Sequence, residues 1–567
     1  MKKTFILVIH ILVIQFLHAQ SFNGFALYNA QGSNTTYLID ENQQIAHTWN
    51  MNTECNYAVA LKKNGNLIRG TKANTSIFSN GNIAAGGGKV QEIAPDGSIV
   101  WSFDYVSNDY VSHHDLTLIG DNVLLTAYEK KSAAELNAAG FNNANSEKWP
   151  THFIELEPDG NGGATIVWEW HIWDHMCQDI DPSLPNYTSN IADHPELIDI
   201  NMIQGGGGPG GGGPGGGGGD WFHVNGVDYN EELDQIVFSS RFASEIYIID
   251  HSTTTAEAAS HSGGNSGMGG DILYRWGNPS NYNMPGPQII DNAVHDSRWI
   301  TDDGRPNGGF LQIFNNSGVS NNQSAVDGIE TPWDPTTNTY LRTPGQAFAP
   351  LSYTTRYACA YSSSGQSASD RMSNGNIFVN ASGGQGGAGV MYEVDSLGNI
   401  VWGPYQAGSQ KGFRYECDYP GIIALEPYMN NTSTTSCFTP VTESWDCDGQ
   451  GNCFDPGTGN GQYSSLNICN NACVQTSIQE IENQLFLYPN PTNNGIFNVR
   501  LGFSTFNTAT VEVFNLIGQQ IFHNHRIKFS ANSSIKINLA DYLEGVYFVT
   551  VKTDKGNIYK SKVSYIK

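Results

Sequence analysis

The stretch MYEVDSLGNIVW (Met391–Trp402) contains the pattern that decides the fold, because related stretches occur throughout residues 24–430. Each copy has a short apolar run, an acidic residue, a polar turn and a final Trp. Short apolar runs separated by turn residues predict antiparallel strands. The other copies are Thr36–Trp49, Val90–Trp101, Ile154–Trp168 and a stretched one that runs from Ile246–Asp250 through an insertion to Ile272–Trp276.

A second phrase precedes most of these copies and predicts a hairpin, because Asn-Gly between apolar runs is a strong turn signal. The repeat unit is therefore a four-stranded antiparallel sheet of roughly 40–55 residues, the length of a propeller blade. Radial packing around an axis buries both faces of such sheets, with the repeated Trp expected between blades. The second phrase occurs at Leu61–Gly70, Leu116–Leu125, Leu233–Arg241 and Met372–Asn380.

We predict six blades, with seven as the alternative, and one blade, around Phe310–Phe314, lacks the Trp. The composition agrees with an all-β chain: 63 of 567 residues are Gly, aromatic residues are 11% and charged residues 14%. These values are typical of a turn-rich β protein and argue against a coiled coil or a disordered chain. The net charge of −26 argues against nucleic acid as a partner, since such binding needs Lys and Arg.

The N-terminal segment has the form of a signal peptide, predicted over residues 1–19. Two lysines precede an apolar run, Phe5 to Leu17, which is too short for a spanning helix, and cleavage after Ala19 is expected. The alternative is an uncleaved anchor or a buried helix. Elsewhere the sequence offers no run of about 18 apolar residues, so no membrane span is expected.

The C-terminal segment, residues 477–567, predicts an immunoglobulin-like β-sandwich. From Leu485 onward apolar residues alternate with polar ones, as at Val511 and Val513, and Asn, Gly and Asp clusters mark turns. About seven short strands in roughly 80 residues are typical of a sandwich. The predicted propeller therefore spans residues 20–435, and a Cys-rich linker module, residues 436–476, joins it to the sandwich.

Three motifs in the tail carry a resemblance: Tyr488-Pro489-Asn490-Pro491, the turn Leu543–Tyr547 and the final strand Lys560–Lys567. The segment resembles the C-terminal sorting domain of the bacterial type IX secretion system. This resemblance implies the type IX machinery as a partner, export across the outer membrane, removal of the tail, and attachment to the cell surface or release. The alternative is an adhesive immunoglobulin-like module.

The nine cysteines fit an exported protein, in which disulfides are the default. Because the number is odd, at least one cysteine is free or pairs between chains. Five of the nine lie between Cys437 and Cys473, which favours a disulfide-stapled module over a zinc site, and the pairing stays open. A second unusual stretch, Gly205–Gly219, has 13 Gly and two Pro and is expected to be a flexible surface insertion. It lacks the Gly-Lys-Ser/Thr of a phosphate-binding loop.

Three histidines are the candidate functional residues, because each precedes or begins a predicted inner strand. His114 lies in SHHDL, His223 in DWFHVNGVDY and His295 in NAVHDSRWI. In a radial array they converge on one axis, where they can bind a metal, act as nucleophile or acid–base, or bind an anion. The absence of a carboxylate or Cys at the same register disfavours a metal, so none is expected. Asn225 and Arg241 favour an anion, since the guanidinium fork suits sulfate or phosphate oxygens.

The pattern around these histidines resembles the bacterial arylsulfate sulfotransferase family. The matching phrases are His223-Val224-Asn225 with Ser239-Ser240-Arg241, Ser112–Leu116, Trp170–His175 with His194–Ile200, and NAVHDSRWI before Phe314–Gly318. The resemblance implies a six-bladed propeller enzyme that moves a sulfuryl group from a phenolic sulfate ester to a phenol. It implies no adenylated sulfate (PAPS) and no other cofactor. The residue in the position of the transiently sulfated histidine is His295, and His114, His223, Asn225 and Arg241 match the sulfuryl-binding set.

The chemistry of these side chains agrees with that reading. Neutral His295 attacks sulfur, while Arg241, Asn225 and His223 donate to the sulfuryl oxygens. A protonated His114 gives its proton to the departing phenoxide and then takes one from the incoming phenol. Which of His113 and His114 faces the site stays open. Two alternative functions are a non-catalytic surface-binding propeller (an adhesin) and a hydrolase or lyase acting on sulfated substrates.

Overall fold

The structure is a computed structural model that describes residues 21–30, 32–73, 85–203, 219–287, 290, 292–383, 387–438, 444–447, 452–454, 461–473, 485–501, 508–527, 534–554 and 558–566. The predicted signal peptide, residues 1–19, lies outside them, as does the glycine tract except for Gly219. The chain divides into two compact units, Met1–Thr439 and Pro440–Lys567.

Six four-stranded antiparallel sheets build the first unit, as the repeat predicts. We call them blades 1 to 6 and give each from its inner to its outer strand. Blade 1 has Ser409–Glu416, Gly24–Ala30, Thr35–Ile39 and Ile45–Asn50; blade 2 has Cys55–Leu61, Leu67–Lys72, Gly88–Ile93 and Ile99–Asp104; blade 3 has Tyr110–Ile119, Asn122–Glu129, Thr151–Pro158 and Ala164–His171; blade 4 has Val224–Asn230, Gln235–Ser240, Glu245–Asp250 and Ile272–Trp276; blade 5 has Val294–Trp299, Leu311–Val319, Gln323–Ile329 and Thr355–Ala358; blade 6 has Ala368–Arg371, Ile377–Ala381, Val390–Val394 and Ile400–Gln406.

The six sheets close into a six-bladed β-propeller. Blade 1 takes its inner strand from the far end of the unit, since Ser409–Glu416 pairs with Gly24–Ala30. Inner strands of successive blades contact one another around the whole ring, from blade 1 through blade 6 and back to blade 1. An apolar core fills each of the six gaps between adjacent blades. Both faces of every sheet are therefore buried, which a single sheet of this size cannot achieve.

The repeated tryptophans connect adjacent blades, as the sequence predicts. Trp49, Trp101, Trp168, Trp276 and Trp402 all lie on outer strands and are 0–5% exposed. Four of their indole N–H groups donate to the next blade or its loops, and Trp101 donates to Glu92 within its own blade. The four contacts between blades are Trp49 to Ala94 O, Trp168 to Thr253 Oγ1, Trp276 to Pro350 O and Trp402 to Glu41 O. The outer strand of blade 5, Thr355–Ala358, has no Trp.

A ring of aspartates fastens the inner strands to one another around the channel. In blades 3 to 6 one inner-strand carboxylate accepts a backbone N–H from the inner strand of the following blade, at 2.9–3.0 Å. The four pairs are Asp115 with Val227, Asp228 with Trp299, Asp296 with Ser369 and Asp370 with Arg414. Each carboxylate thus satisfies a buried donor and fixes the register of two blades.

Two cations, the buried Lys411 and the half-buried Arg298, offset part of the negative charge of this ring. Lys411 Nζ lies 2.7 Å from an oxygen of Asp115 and 3.5 Å from one of Asp296. Arg298 bridges Asp296 and Asp370 at 3.0 and 2.6 Å. Removing one partner of such a buried pair typically costs about 3–5 kcal/mol, because a charge is left without compensation. The ring and its cations therefore form a rigid floor across the channel.

The loops of the first unit contain short helical elements and small strand pairs. The α-helices are Ala133–Ala138, Thr255–Ala258 and Pro420–Leu425, and the 3-10 turns are Ile172–His175, Ile191–Asp193, Pro279–Tyr282, Ser320–Asn322 and Glu426–Tyr428. The two-stranded sheets pair Met176–Cys177 with Ile198–Asp199 and Trp333–Asp334 with Thr339–Tyr340. A disulfide joins Cys417 to Cys437, and Cys55, Cys177 and Cys359 are buried.

The second unit begins with a small disulfide-linked segment. Its hairpin, Asp446–Cys447 with Cys453–Phe454, is bonded to the helix Leu466–Ala472 and the residue after it. The disulfides are Cys447–Cys473 and Cys453–Cys469, which favours the stapled module over the zinc alternative.

Seven strands then form the predicted β-sandwich. One sheet has Leu485–Tyr488, Ile496–Leu501 and Ser534–Asn538; the other has Gln520–Ile527, Ala509–Phe514, Gly545–Thr553 and Ile558–Tyr565. One apolar core takes residues from both sheets, including Phe497 and Val499 from the first and Val511 and Val549 from the second. Within the described parts of both units, no helix combines the length and apolar character needed to cross a bilayer.

Candidate active site

The predicted histidines lie where the inner strands of blades 3, 4 and 5 begin, and the backbone there is irregular. Register shifts interrupt pairing between Ser112 and Leu116 and between His295 and Arg298. His114, His223 and Asp296 have φ of 49°, 53° and 56°, in the left-handed region that non-glycine residues rarely adopt. Such strain costs about 1–3 kcal/mol per residue and is typical of functional sites.

His114 and His223 meet across the boundary between blades 3 and 4. Their ring centroids are 4.5 Å apart at an interplanar angle of 69°. His113 instead stacks on Tyr128 of its own blade at 3.5 Å, and its Nδ1 lies 2.8 Å from Nδ1 of His114. The structure therefore places His114, rather than His113, against the second predicted histidine.

His223 is held by a carboxylate. Its Nδ1 lies 2.5 Å from Oδ2 of Asp220, and both side chains are buried. Nδ1–H therefore donates to Asp220, which orients the ring and directs Nε2 away from the carboxylate. Phe242 packs against the other side of the ring at 4.7 Å. This Asp–His pair has the arrangement of an oriented general base.

His295 is fully buried, and both of its ring nitrogens have partners. Nδ1 lies 2.6 Å from Oδ1 of Asn316. The amide of Asn316 is oriented by its own Nδ2, which donates to Ser363 O at 2.9 Å, so Nδ1–H of His295 must be the donor. Nε2 then carries the lone pair, and it accepts the backbone N–H of Gln366 at 3.0 Å. The potential nucleophile is thus Nε2.

Arg241 supplies a cation beside these rings. Its backbone N–H donates to His223 O at 3.1 Å, which ties the residue to the same corner of the channel. The guanidinium is partly buried and makes no hydrogen bond or ion pair to any residue in the described part of the chain. Burial lowers the pKa of Arg241, and the nearby Asp220 works against that shift. Its donor fork is available to an anion.

Asn225 joins blade 4 to blade 5 directly beneath the histidines. Its Nδ2 donates to Val294 O at 2.8 Å, and its Oδ1 accepts the hydroxyl of Ser239 at 2.7 Å. A Cβ at the next residue, Gly226, would come within 2.7 Å of the backbone N of Asp296, so only glycine allows this close approach. One amide hydrogen of Asn225 remains for a ligand after these bonds.

Electrostatic coupling places His114, His223, His295 and Arg241 in one neighbourhood. Burial, and then the Arg241 cation, lower the pKa of His295 well below its usual range. Burial also lowers the pKa of His114 well below its usual range, with His223 the largest charged contributor. Both rings are therefore neutral at pH 7. The proposed role of His114 as the proton donor to the phenoxide stays a prediction, and the buried site makes protonation of its ring unfavourable.

The other motif histidines make separate contacts. His171 pairs with Glu129 and Glu169, at 3.2 and 3.3 Å. His194 pairs with Glu196 at 2.9 Å on the surface. Neither is hydrogen-bonded to the five predicted site residues within the described part of the chain.

The structure adds four residues that sequence reasoning missed: Asp220, Asn316, Gln366 and Lys411. Asp220 and Asn316 stand inside quoted motifs, but nothing in the sequence assigns them to a histidine. Gln366 has a weak signal, because it lies two residues before the inner strand Ala368–Arg371, close to the register of the histidines. Lys411 is a lysine with 1% exposure in an otherwise ordinary inner strand, and no motif marks it.

The other end of the channel has a different character. A cavity of about 930 Å³ opens there, lined by Arg298, Trp299, Arg305, Arg371 and Arg414, among others. His295 is the second residue of the strand Val294–Trp299, and Trp299 is the last. At about 3.3 Å per residue, the two residues lie roughly 13 Å apart along the channel. The aspartate ring stands between the two ends. The cavity is therefore not the histidine site.

Two family models each match a segment of the chain, one in each unit. Residues 5–258 match the family model described as Arylsulfotransferase (ASST). This match supports aryl sulfotransferase activity in general and confirms the resemblance seen in the sequence. The arylsulfotransferase segment includes His114, His223, Asn225 and Arg241, whereas His295 lies beyond it. Residues 486–565 match the family model described as Secretion system C-terminal sorting domain (Por_Secre_tail), which confirms the second resemblance.

Solved structures similar to the chain are distant. The β-propeller domain of Cps50 (Swd1) from Myceliophteria thermophila is 11% identical with a TM-score of 0.31, covering 68% of this chain and 86% of that one. Regucalcin from Agrobacterium tumefaciens is 7% identical with a TM-score of 0.28, covering 64% and 83%. PorZ from Porphyromonas gingivalis is 10% identical with a TM-score of 0.16, covering 96% and 85%. The propeller fold is shown by the sheets and apolar cores of this chain. A search of curated proteins finds no match.

Proposed function

We propose that this protein is an aryl sulfotransferase that moves a sulfuryl group from a phenolic sulfate ester to a phenol through a sulfohistidine at His295. One observation carries the proposal: a fully buried imidazole whose Nδ1–H is fixed on Asn316 presents Nε2 near the Arg241 guanidinium, which makes no ion pair with any residue that the structure describes. A lone pair beside a fixed cation is what attack on a sulfate ester requires.

The first half-reaction uses His295 and Arg241. Binding of the ester displaces the Gln366 N–H from Nε2, which attacks sulfur. The S–O bond to the phenol breaks, and its electron pair leaves with the phenoxide. Arg241 and the remaining amide hydrogen of Asn225 donate to the sulfuryl oxygens throughout.

The second half-reaction uses His223 as the base. The incoming phenol gives its proton to Nε2 of His223, and its oxygen attacks sulfur. The N–S bond breaks, and the electron pair returns to Nε2 of His295. His223 then releases its proton to solvent water, which restores the neutral ring for the next turnover. Asp220 stabilises the imidazolium formed on His223, as the carboxylate does in other Asp–His pairs. This assignment moves the proton-transfer role from His114 to His223, because of these two rings only His223 pairs with a carboxylate among the residues that the structure describes.

Steady-state kinetics test the reaction class. A covalent intermediate predicts ping-pong behaviour, with parallel double-reciprocal lines when donor and acceptor are varied. Free sulfate should appear only slowly without a phenol. Sulfate release at one rate with or without acceptor would instead indicate a hydrolase. If no aryl sulfate is turned over, the alternative of a non-catalytic binding propeller would be favoured.

Asp220→Asn separates the two half-reactions. The amide cannot stabilise the imidazolium of His223, so we expect transfer to the acceptor to slow by about 10²-fold or more, in the range typical of general-base removal. The initial release of phenol from the donor, which needs no base, should change little. Rapid-quench measurement of the two steps checks this. Equal slowing of both steps would contradict the assignment of His223 as base.

The pH dependence of the first step follows from the neutral state of His295. Its pKa is lowered, so the lone pair persists well below the usual histidine range, and the rate of phenol release should be constant from pH 8 to below pH 6.5. Unfolded histidines bind protons that the folded site excludes, so stability falls as pH decreases. Circular dichroism at each pH separates unfolding from protonation. If the rate of phenol release fell with a midpoint near pH 6.5 while the protein was still folded, the neutral state of His295 would be contradicted.

We also propose that the protein is exported through its signal peptide and the type IX machinery and acts at the cell surface or outside the cell. The sorting-domain match supports secretion or surface localisation. Deletion of residues 485–567 should leave transfer activity unchanged in vitro, because all the proposed site residues lie in the first unit. Surface delivery should be lost, as measured by fractionation. Loss of activity in the purified truncated protein would contradict the separation of roles.

A further inference from the structure

A second cluster of chemistry-bearing side chains lies between blades 3 and 4, apart from the sulfuryl site. His175 follows the outer strand of blade 3, and His261 and Asp271 belong to the excursion between Glu245–Asp250 and Ile272–Trp276. Nδ1 of His175 is 2.8 Å, and Nδ1 of His261 2.7 Å, from the same oxygen, Oδ1 of Asp271. One ligand atom from each residue lies within 4.8 Å of the others.

The hydrogen bonds of His175 require a proton or a metal ion between its Nδ1 and Asp271. The ring is fully buried, and its Nε2 lies 2.8 Å from Ala258 O, which only accepts, so Nε2 carries a hydrogen. In the neutral ring Nδ1 is then a bare lone pair, directed at a carboxylate oxygen. Two lone pairs at 2.8 Å repel unless a proton or a metal ion lies between them. The proton alternative places either a doubly protonated imidazole or a neutral Asp271 carboxyl in a buried position.

The surroundings of His175 are those of a metal ligand. Donation of the second ring nitrogen to a backbone carbonyl is the usual device that fixes the tautomer of a metal-binding histidine. Trp170 stacks on the ring at 5.5 Å and 5°, and its indole donates to Gly270 O at 2.7 Å. A Cβ on Gly270 would come within 2.6 Å of Nε2 of His175, so glycine lets the backbone close on the ring. These contacts hold the imidazole of His175 with its Nδ1 directed at Asp271.

We propose that His175, His261 and Asp271 bind a divalent transition-metal ion, with Zn²⁺ as the expected occupant. Two imidazoles and one carboxylate suit Zn²⁺, whereas Ca²⁺ and Mg²⁺ prefer oxygen ligands alone. The side chain of His261 is 60% exposed, so the fourth position opens to water. The ion would tie the excursion of blade 4 to the end of blade 3, and its role is to stabilise that junction.

Spacing in the sequence does not reveal this site. The pair His171 and His175, four residues apart, resembles a metal motif, but His171 turns to Glu129 and Glu169. The true partners of His175 are 86 and 96 residues away along the chain, and only the fold brings them together.

The test compares metal binding by the full chain with that of His261→Ala, an exposed residue whose removal should leave the fold intact. His194→Ala is the matched control, because His194 is also exposed and paired with a carboxylate. After dialysis against Zn²⁺ and removal of excess, elemental analysis should find one more zinc ion per chain in wild type and His194→Ala than in His261→Ala. This difference isolates the site from the cysteines of residues 447–473.

Two further readouts complete the test. A chelator should lower the melting temperature of wild type but not of His261→Ala, since only an ion bound to the folded state shifts unfolding. Co²⁺ in place of Zn²⁺ should give visible d–d absorption that His261→Ala lacks. Sulfuryl transfer should be the same in both proteins. The proposal would be overturned if wild type and His261→Ala held equal zinc, if the chelator left the melting temperature of wild type unchanged, and if Co²⁺ gave no visible spectrum. A proton would then lie between His175 and Asp271.

Discussion

His295→Ala should reduce the release of phenol from an aryl sulfate by at least about 10³-fold, because it removes the only group proposed to bond to sulfur. The loss should be in kcat, since Arg241 and Asn225 still bind the sulfuryl oxygens. Transfer to an acceptor should disappear with it.

His194→Ala is the control for this experiment, because it also deletes an imidazole but from an exposed position paired with Glu196. His295→Gln provides a second variant that keeps a polar side chain near Asn316, in case the cavity left by alanine destabilises blade 5. Substantial turnover by either His295 variant in folded form would remove His295 from the mechanism.

Arg241→Ala should lower kcat for donor cleavage by about 10²–10³-fold, the range found when one aimed donor to a developing negative charge is removed. Arg241→Lys should lose less, because the ammonium keeps the charge but lacks the planar fork. Initial-rate measurements with one aryl sulfate compare the two. Arg305→Lys, at the other end of the channel, should be neutral.

A second readout distinguishes a catalytic effect of Arg241 from a structural one. The Arg241 cation helps to lower the pKa of His295, so its removal should shift the acid limb of the rate profile to higher pH. Arg241→Lys should leave that limb close to its wild-type position. An unshifted limb in Arg241→Ala would mean that the guanidinium does not face His295.

The sequence predicted the propeller because its pattern is local. Each hairpin and each outer-strand tryptophan, such as Trp168 or Trp402, belongs to a short local stretch of sequence, and that stretch recurs along the chain. The convergence of His114, His223 and His295 also followed from the repeat, since residues at one register of radial blades must approach one axis. The same reasoning could not decide between His113 and His114, because the choice depends on a bulge and a left-handed residue.

The parts that were missed depend on contacts between distant segments. Gln366 reaches His295 across 71 residues, and Lys411 reaches Asp115 across 296, so no local pattern signals either bond. The lowered pKa of His114 could not be predicted for a related reason: burial causes it, and burial depends on the whole ring of blades. Asp220 was within a quoted motif, but its bond to His223 needed the backbone turn between them.

The most direct test of the central claim is to trap the intermediate. Purified full-length protein is incubated with an aryl sulfate and no acceptor, digested under conditions that preserve the N–S bond, and analysed by mass spectrometry. The account predicts one sulfuryl group on the peptide that contains His295, absent from His295→Ala and removed when a phenol is added before digestion. Phenol release with an unmodified His295 peptide, or a sulfuryl group on His114 or His223 instead, would contradict it.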